Sequence, residues 1–157
     1  MVQAFVISRL DYCNLLCYGI TNELACCLQS VQNAATRLVT GTRRCDHILP
    51  VLRQLHWLPV RQHVVFRIAT LVHRSLSGNA PGYLADDCPL VADARVRQLR
   101  SADTGTLVVS RTRSSFEDRT FAAGGPQVSN SLPPNLRLCG LSYGQFRQLL
   151  KTFLFGQ

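Results

Sequence analysis

Lysine is nearly absent from this chain: Lys151 stands alone against sixteen arginines. No run approaches the roughly 18–20 continuous apolar residues that a membrane-spanning helix needs. Residues 1–7 are apolar but too short for a secretory leader, have no basic start, and run directly into Arg9 and Asp11. The expected location is therefore intracellular, nuclear or cytoplasmic, not secreted, with no membrane partner. Seven cysteines, an odd number, then read as reduced thiols rather than a disulfide framework. A G-x-S-x-G elbow, a P-loop and a dinucleotide fingerprint are also missing, so no catalytic residue and no cofactor is assigned.

What is present is enough apolar material for a real core: 46% of 157 residues are hydrophobic. The net charge of +8 rests on arginine, whose planar guanidinium suits bidentate phosphate contacts and stacking on bases. The same composition also arises when a GC-rich gene drifts toward arginine codons, which leaves ordinary solvated surface charge. Composition alone leaves both readings open.

Hydrophobic periodicity makes the first half helical. Residues 1–18 place Phe5, Val6, Cys13, Leu16 and Cys17 largely on one side, with Gly19 as a stop. A second helix, capped by Thr21 or Asn22 and ended by Gly41, repeats Leu24, Leu28, Val31, Ala35 and Leu38 at helical spacing. A short helix within 46–58, capped by Asp46, leads to Trp57, the only tryptophan, which should plug the helix junction. From Pro59 to Gly78 a third long helix turns Val64, Ile68, Leu71, Val72 and Leu76 inward and His63, Arg67, Thr70 and Arg74 outward. These helices should pack around Leu28, Val31, Leu38, Trp57, Ile68 and Leu71.

After Asn79 the texture changes to a linker, then a short strand over 106–109. Gly124-Gly125-Pro126 and Pro133-Pro134 are expected to interrupt regular structure between that strand and the C-terminal segment. Ser142 and Gln145 form a capping box for a last helix, with Leu141 stapled to Phe146 and an apolar stripe of Phe146, Leu149, Leu150 and Phe153. The fold class is mainly α: a small helical bundle, then an irregular module with a short β element and a C-terminal amphipathic helix.

Particular runs carry more than periodicity. Ser8-Arg9-Leu10-Asp11-Tyr12-Cys13-Asn14 and Leu55-His56-Trp57-Leu58-Pro59-Val60-Arg61 are the clearest. Val31-Gln32-Asn33-Ala34-Ala35, Asp46-His47-Ile48, Val109-Ser110-Arg111-Thr112-Arg113, Asn130-Ser131-Leu132-Pro133 and Leu149-Leu150-Lys151-Thr152-Phe153-Leu154-Phe155 add to them. Together they resemble the stretch after the polymerase core in reverse transcriptases of LINE-type, jockey-like non-LTR retrotransposons. The resemblance spans nearly the whole chain in order. It implies that the catalytic fingers and palm lie upstream of the point where this chain begins. The expected organisation is a thumb-like helical bundle over 1–78, a linker over 79–104 and a C-terminal module over 105–157.

Asp86-Asp87 imitates the paired aspartates that hold metal ions in such enzymes, but that chemistry needs a tight hairpin between apolar strands. Pro81, Gly82 and Pro89 surround the pair, so two acids ending a helical turn is the better reading. Cys13 and Cys17, Cys26-Cys27, and Cys45 with His47, His56 and His63 offer zinc-binding atoms without the knuckle spacing of a structural site. Cysteine as a small buried hydrophobe is preferred, and no metal is assigned.

In the resembled polymerases the thumb grips the template–primer duplex, and the segment after it aids template binding. Arg37, Arg43, Arg44, Arg61, Arg67, Arg74, Arg111 and Arg113 are accordingly the expected contacts to RNA or DNA backbone, sequence-independent and salt-sensitive. One departure matters: where the family runs Pro-x-Leu-Trp-Asn-Ser-Leu-Pro, this chain has Ser129 in place of the tryptophan. That suits a decaying copy. The expected function is a non-catalytic polymerase fragment with residual nucleic-acid binding. The alternatives are a domesticated module whose exposed helical face binds a protein, or an open reading frame in decay.

Overall fold

The computed structural model describes residues 8, 12, 14–92, 105–114, 116–137 and 140–156. Most of the expected first helix and the linker over 93–104 lie outside these residues. Of the first helix, Asn14–Cys17 is a 3-10 turn in which Leu16 is 62% exposed.

Helix α1, Asn22–Thr40, starts where Thr21 Oγ1 accepts from the Leu24 N–H and stops at Gly41, whose φ of 69° is left-handed. A left-handed residue lets the chain leave the helix while its N–H bonds Arg37 O, and glycine adopts that conformation without a steric penalty. Helix α2, Ile48–Gln54, is entered from His47 rather than from Asp46. Asp46 instead accepts from the Arg43 backbone N–H at 3.1 Å and closes the preceding turn.

Between α2 and α3, Val60–Leu76, lies the run Leu55-His56-Trp57-Leu58-Pro59. His56 takes a φ of 56°, while its N–H bonds Arg53 O at 3.0 Å and the Trp57 N–H bonds Leu52 O at 2.8 Å. This pair of bonds is a Schellman stop, with histidine where glycine is usual, and the accompanying hydrophobic contact is Trp57 on Leu52. Trp57 is buried as expected, at 4% exposure, in a small cluster with Leu52 and Ala35.

The face of α1 that packs inward is not the aliphatic one. Ala25, Gln32, Ala35 and Thr36 are buried, whereas Leu24, Val31 and Leu38 are 57%, 61% and 74% exposed. The cause lies in the turn between α2 and α3, whose backbone groups need partners once covered. Gln32 Nε2 donates to Leu58 O at 2.9 Å, and Gln29 Oε1 accepts from the Val60 N–H at 2.9 Å. Gln29 Nε2 in turn donates to Gln32 Oε1. Rolling α1 to bury its leucines would strand these groups, so the amides win.

The main core forms where α3 packs against α5, Phe121–Ser131, and α7, Tyr143–Phe155. Val64, Ile68 and Val72 point into it, while Leu71 is half-buried and Leu76 is 37% exposed. Thr70, expected on the polar face, is buried and returns its hydroxyl to Phe66 O. Helix α5 runs through Gly124-Gly125-Pro126, a run expected to break regular structure. A β-carbon on Gly125 would stand 3.2 Å from Val72 Cγ2, and one on Gly124 would stand 3.1 Å from Tyr18 Cδ1. These glycines permit close helix packing, and that tertiary gain overrides their low helix propensity.

Two short helices, α4 (Gly82–Asp86) and α6 (Pro134–Arg137), complete the α-helices among the described residues, and a 3-10 turn, Glu117–Arg119, precedes α5. Helix α7 begins with the expected capping box, and Phe146, Leu150 and Leu154 are its buried stripe. Leu149 is 44% exposed, because a seat against α3 favours positions four apart over a wider stripe. The expected strand reduces to one antiparallel bridge, Leu90 to Leu107. Beside it the Asn130 side chain donates to Leu107 O at 2.8 Å and accepts from the Leu107 N–H at 2.9 Å, acting as a strand partner.

Candidate anion-binding cleft

Helices α3 and α7, together with the Schellman turn, enclose a cleft of about 570 Å³. That volume lies within the range of small-ligand sites, roughly 300–1,000 Å³. Helix α3 contributes His63 and Arg67, four residues apart and therefore on one face. Helix α7 contributes Gly144 from its first turn, then Arg147, Gln148 and Lys151. His56 enters from the turn, and Trp57 and Phe66 supply aromatic wall. None of the described residues lining the cleft is acidic.

The charges disturb one another. Burial, then the charge of Lys151, holds His63 below its ordinary value of 6.5, so the imidazole is neutral at neutral pH. Burial, followed by Arg147, pulls both Arg67 and Lys151 downward. Arg147 is itself held in place, its guanidinium carbon 5.8 Å from the Phe66 ring centre and 5.5 Å from that of Tyr143. A group of cations assembled at mutual electrostatic expense is what an anion would relieve.

Two further features point the same way. The Trp57 indole N–H is buried and has no hydrogen-bond partner among the described residues. His56 is the one non-glycine residue with positive φ among them. A β-carbon in the left-handed region is sterically penalised by about 1 kcal/mol or more, and such strain concentrates at functional positions.

Of the eight arginines expected to bind nucleic acid, only Arg67 lines this cleft. Arg37 is half-buried at the end of α1, reaching Arg44 O at 3.5 Å, and Arg43 and Arg44 are exposed beside it. Arg61 is exposed and donates to Asn22 Oδ1. Arg74 curls back to Asn79 O at 3.1 Å at the end of α3. Arg111 and Arg113 are exposed in the segment before α5, where the Arg113 backbone N–H binds the Glu117 carboxylate. His56, His63, Arg147 and Lys151 were missed as a site. The available signal was two basic pairs at four-residue spacing, His63 with Arg67 and Arg147 with Lys151.

Asp86 ends α4 and Asp87 is its C-cap, so the acidic pair sits on a helical turn and not between strands. Among the described residues no group of three histidine, cysteine or acidic side chains could hold a metal. No described helix is long and apolar enough to cross a membrane. No family model matches the chain, and comparison with curated proteins and with solved structures gives no match.

Proposed function

We propose that this chain is a non-catalytic portion of a LINE-type reverse transcriptase, its thumb-like helices and tail, and that it binds RNA or DNA backbone in the α3–α7 cleft. The observation that carries the reading is the convergence of Arg67, Arg147 and Lys151, with His56 and His63, in one concave site whose described lining has no acid. Phosphates would pair with the cations, and the aromatic wall of Trp57 and Phe66 gives a base or sugar an apolar seat.

Filter binding of a single-stranded RNA across a salt series tests it. Each phosphate contact contributes about 0.7 to the slope of log affinity against log salt, so Arg147→Ala with Lys151→Ala should reduce that slope by about 1.4. Arg74→Ala with Arg111→Ala should leave it nearly unchanged. An unaltered slope in the α7 double variant would remove the cleft from the binding surface. A second reading, a protein-interaction module, is favoured by the exposed leucines and valine of α1.

A further inference from the structure

Helix α1 carries a second periodicity on its solvent side. Leu24, Cys27, Val31, Ala34 and Leu38 succeed one another at alternating steps of three and four, and Leu24, Val31 and Leu38 are 57–74% exposed. A repeat of 3.5 is the seam of a coiled coil; a helix seated on a globular core usually shows a broader stripe. The inward side of α1 is already occupied by the Gln29 and Gln32 amides, so this seam faces outward.

We propose that the seam is the interface of an antiparallel homodimer formed by α1 from two copies of this chain. The flanking residues select both the occupant and the direction. In heptad terms Leu24, Val31 and Leu38 are a positions, Cys27 and Ala34 are d positions, and Glu23, Ser30 and Arg37 are g positions. Antiparallel pairing of a with d places Leu24 against Ala34 of the second copy and Cys27 against Val31, large beside small, while Leu38 projects past the first residue of the partner α1. The same register sets Glu23 opposite Arg37 of the second copy, twice by symmetry, with Ser30 facing Ser30 between them. On the other flank half-buried Leu28 meets its own copy. A parallel pair would set Glu23 against Leu28 and align the helix dipoles, so the charges favour the antiparallel form. No other partner is needed to complement α1, because its own two ends complement each other. The interface is independent of the α3–α7 cleft and stands or falls apart from nucleic-acid binding.

The helix has 19 residues and is about 28 Å long, which gives a small interface and association in roughly the 1–100 µM range. Sedimentation equilibrium across that range should show a monomer–dimer equilibrium. Val31→Glu should weaken it more than about tenfold with an unchanged far-ultraviolet spectrum, since the side chain is solvent-facing in the monomer. Glu23→Arg should weaken it by about three- to tenfold through two like-charge pairs, and adding Arg37→Glu should restore it. Leu149→Glu, on the exposed part of α7, should leave the dimer intact. A monomer throughout the range, a dimer indifferent to Val31→Glu, or a charge reversal that the second change does not rescue would each overturn the proposal.

Discussion

Replacing Ser129 by Trp should stabilise this protein. Ser129 is 8% exposed on α5 and lines a hollow of about 360 Å³ with Ala69, Val72, Leu132, Leu136 and Phe146. In the reverse-transcriptase segment that the proposed function invokes, the corresponding position is tryptophan. Removing a fully packed Trp side chain from a core destabilises by about 3–5 kcal/mol, which bounds the gain from restoring one. The bound is not reached, because the rim of the hollow at Ser77, Asn79 and Ser142 is exposed and part of the ring stays wet. Discounting for that exposure, and for some overpacking against Val72, leaves about 1–2 kcal/mol. His73 also lines the hollow, with its Nδ1 lacking a partner among the described residues. For a chain of this size the gain corresponds to a rise in Tm of about 2–8 °C. Thermal and urea unfolding followed by circular dichroism read it directly, with an unchanged m-value showing that the denatured state is not the cause. Ser129→Ala, which fills nothing, should move the midpoint little. If Ser129→Trp lowers the midpoint, the hollow does not accommodate an indole and the expected gain is refuted.

His56→Gly should relieve the left-handed strain and raise stability by about 1 kcal/mol while weakening RNA retention at low salt; a fall in stability would show that the imidazole has a packing role. Because His63 is held below 6.5 in the folded protein, the unfolded chain takes up that proton first, so stability should decline as pH drops through 6.5. Bound polyanion acts in the opposite sense, since it favours the imidazolium, and affinity for RNA should rise over the same interval; His63→Gln should flatten that rise, and an undiminished rise would assign it elsewhere. The chain should extend no primer on an RNA or DNA template with magnesium or manganese, given Asp86 and Asp87 on the end of a helical turn. Extension abolished by changing both to Asn would refute the non-catalytic reading.

The local rules written into the sequence held where they were complete within a few residues. Thr21 and Gly41 bound α1 and the Ser142 and Gln145 box opens α7, because each depends on neighbours within one or two turns, while the burial of Trp57, on Leu52 and on Ala35 of α1, follows from the size of its side chain. The choice of face on α1 was not legible in the same way. Its aliphatic stripe outweighs its polar side in hydrophobicity, and only the unpaired groups at Leu58 and Val60, more than twenty residues away, reverse the preference. Helix α5 through Gly124-Gly125-Pro126 likewise depends on a contact with Val72 that no local pattern announces. The cleft was half visible. His63 and Arg67 stand out on the polar side of α3, but Lys151 and Arg147 join them only through the docking of α7, which is driven by Phe146, Leu150 and Leu154.

The clamp of Asn130 on Leu107 bears on how this chain tolerates change in length. Leu90 and Leu107 meet in a bridge, and one side-chain amide fastens the second of them to α5, so the ends of the intervening connection are pinned from outside it. For such a pinned closure the entropy grows only with the logarithm of length, about 0.6 kcal/mol for each doubling. Changes in the length of chain between these two leucines should therefore cost less stability than replacing Asn130, because leucine offers neither donor nor acceptor, aspartate lacks the donor, and the serine hydroxyl is too short to reach both groups of Leu107.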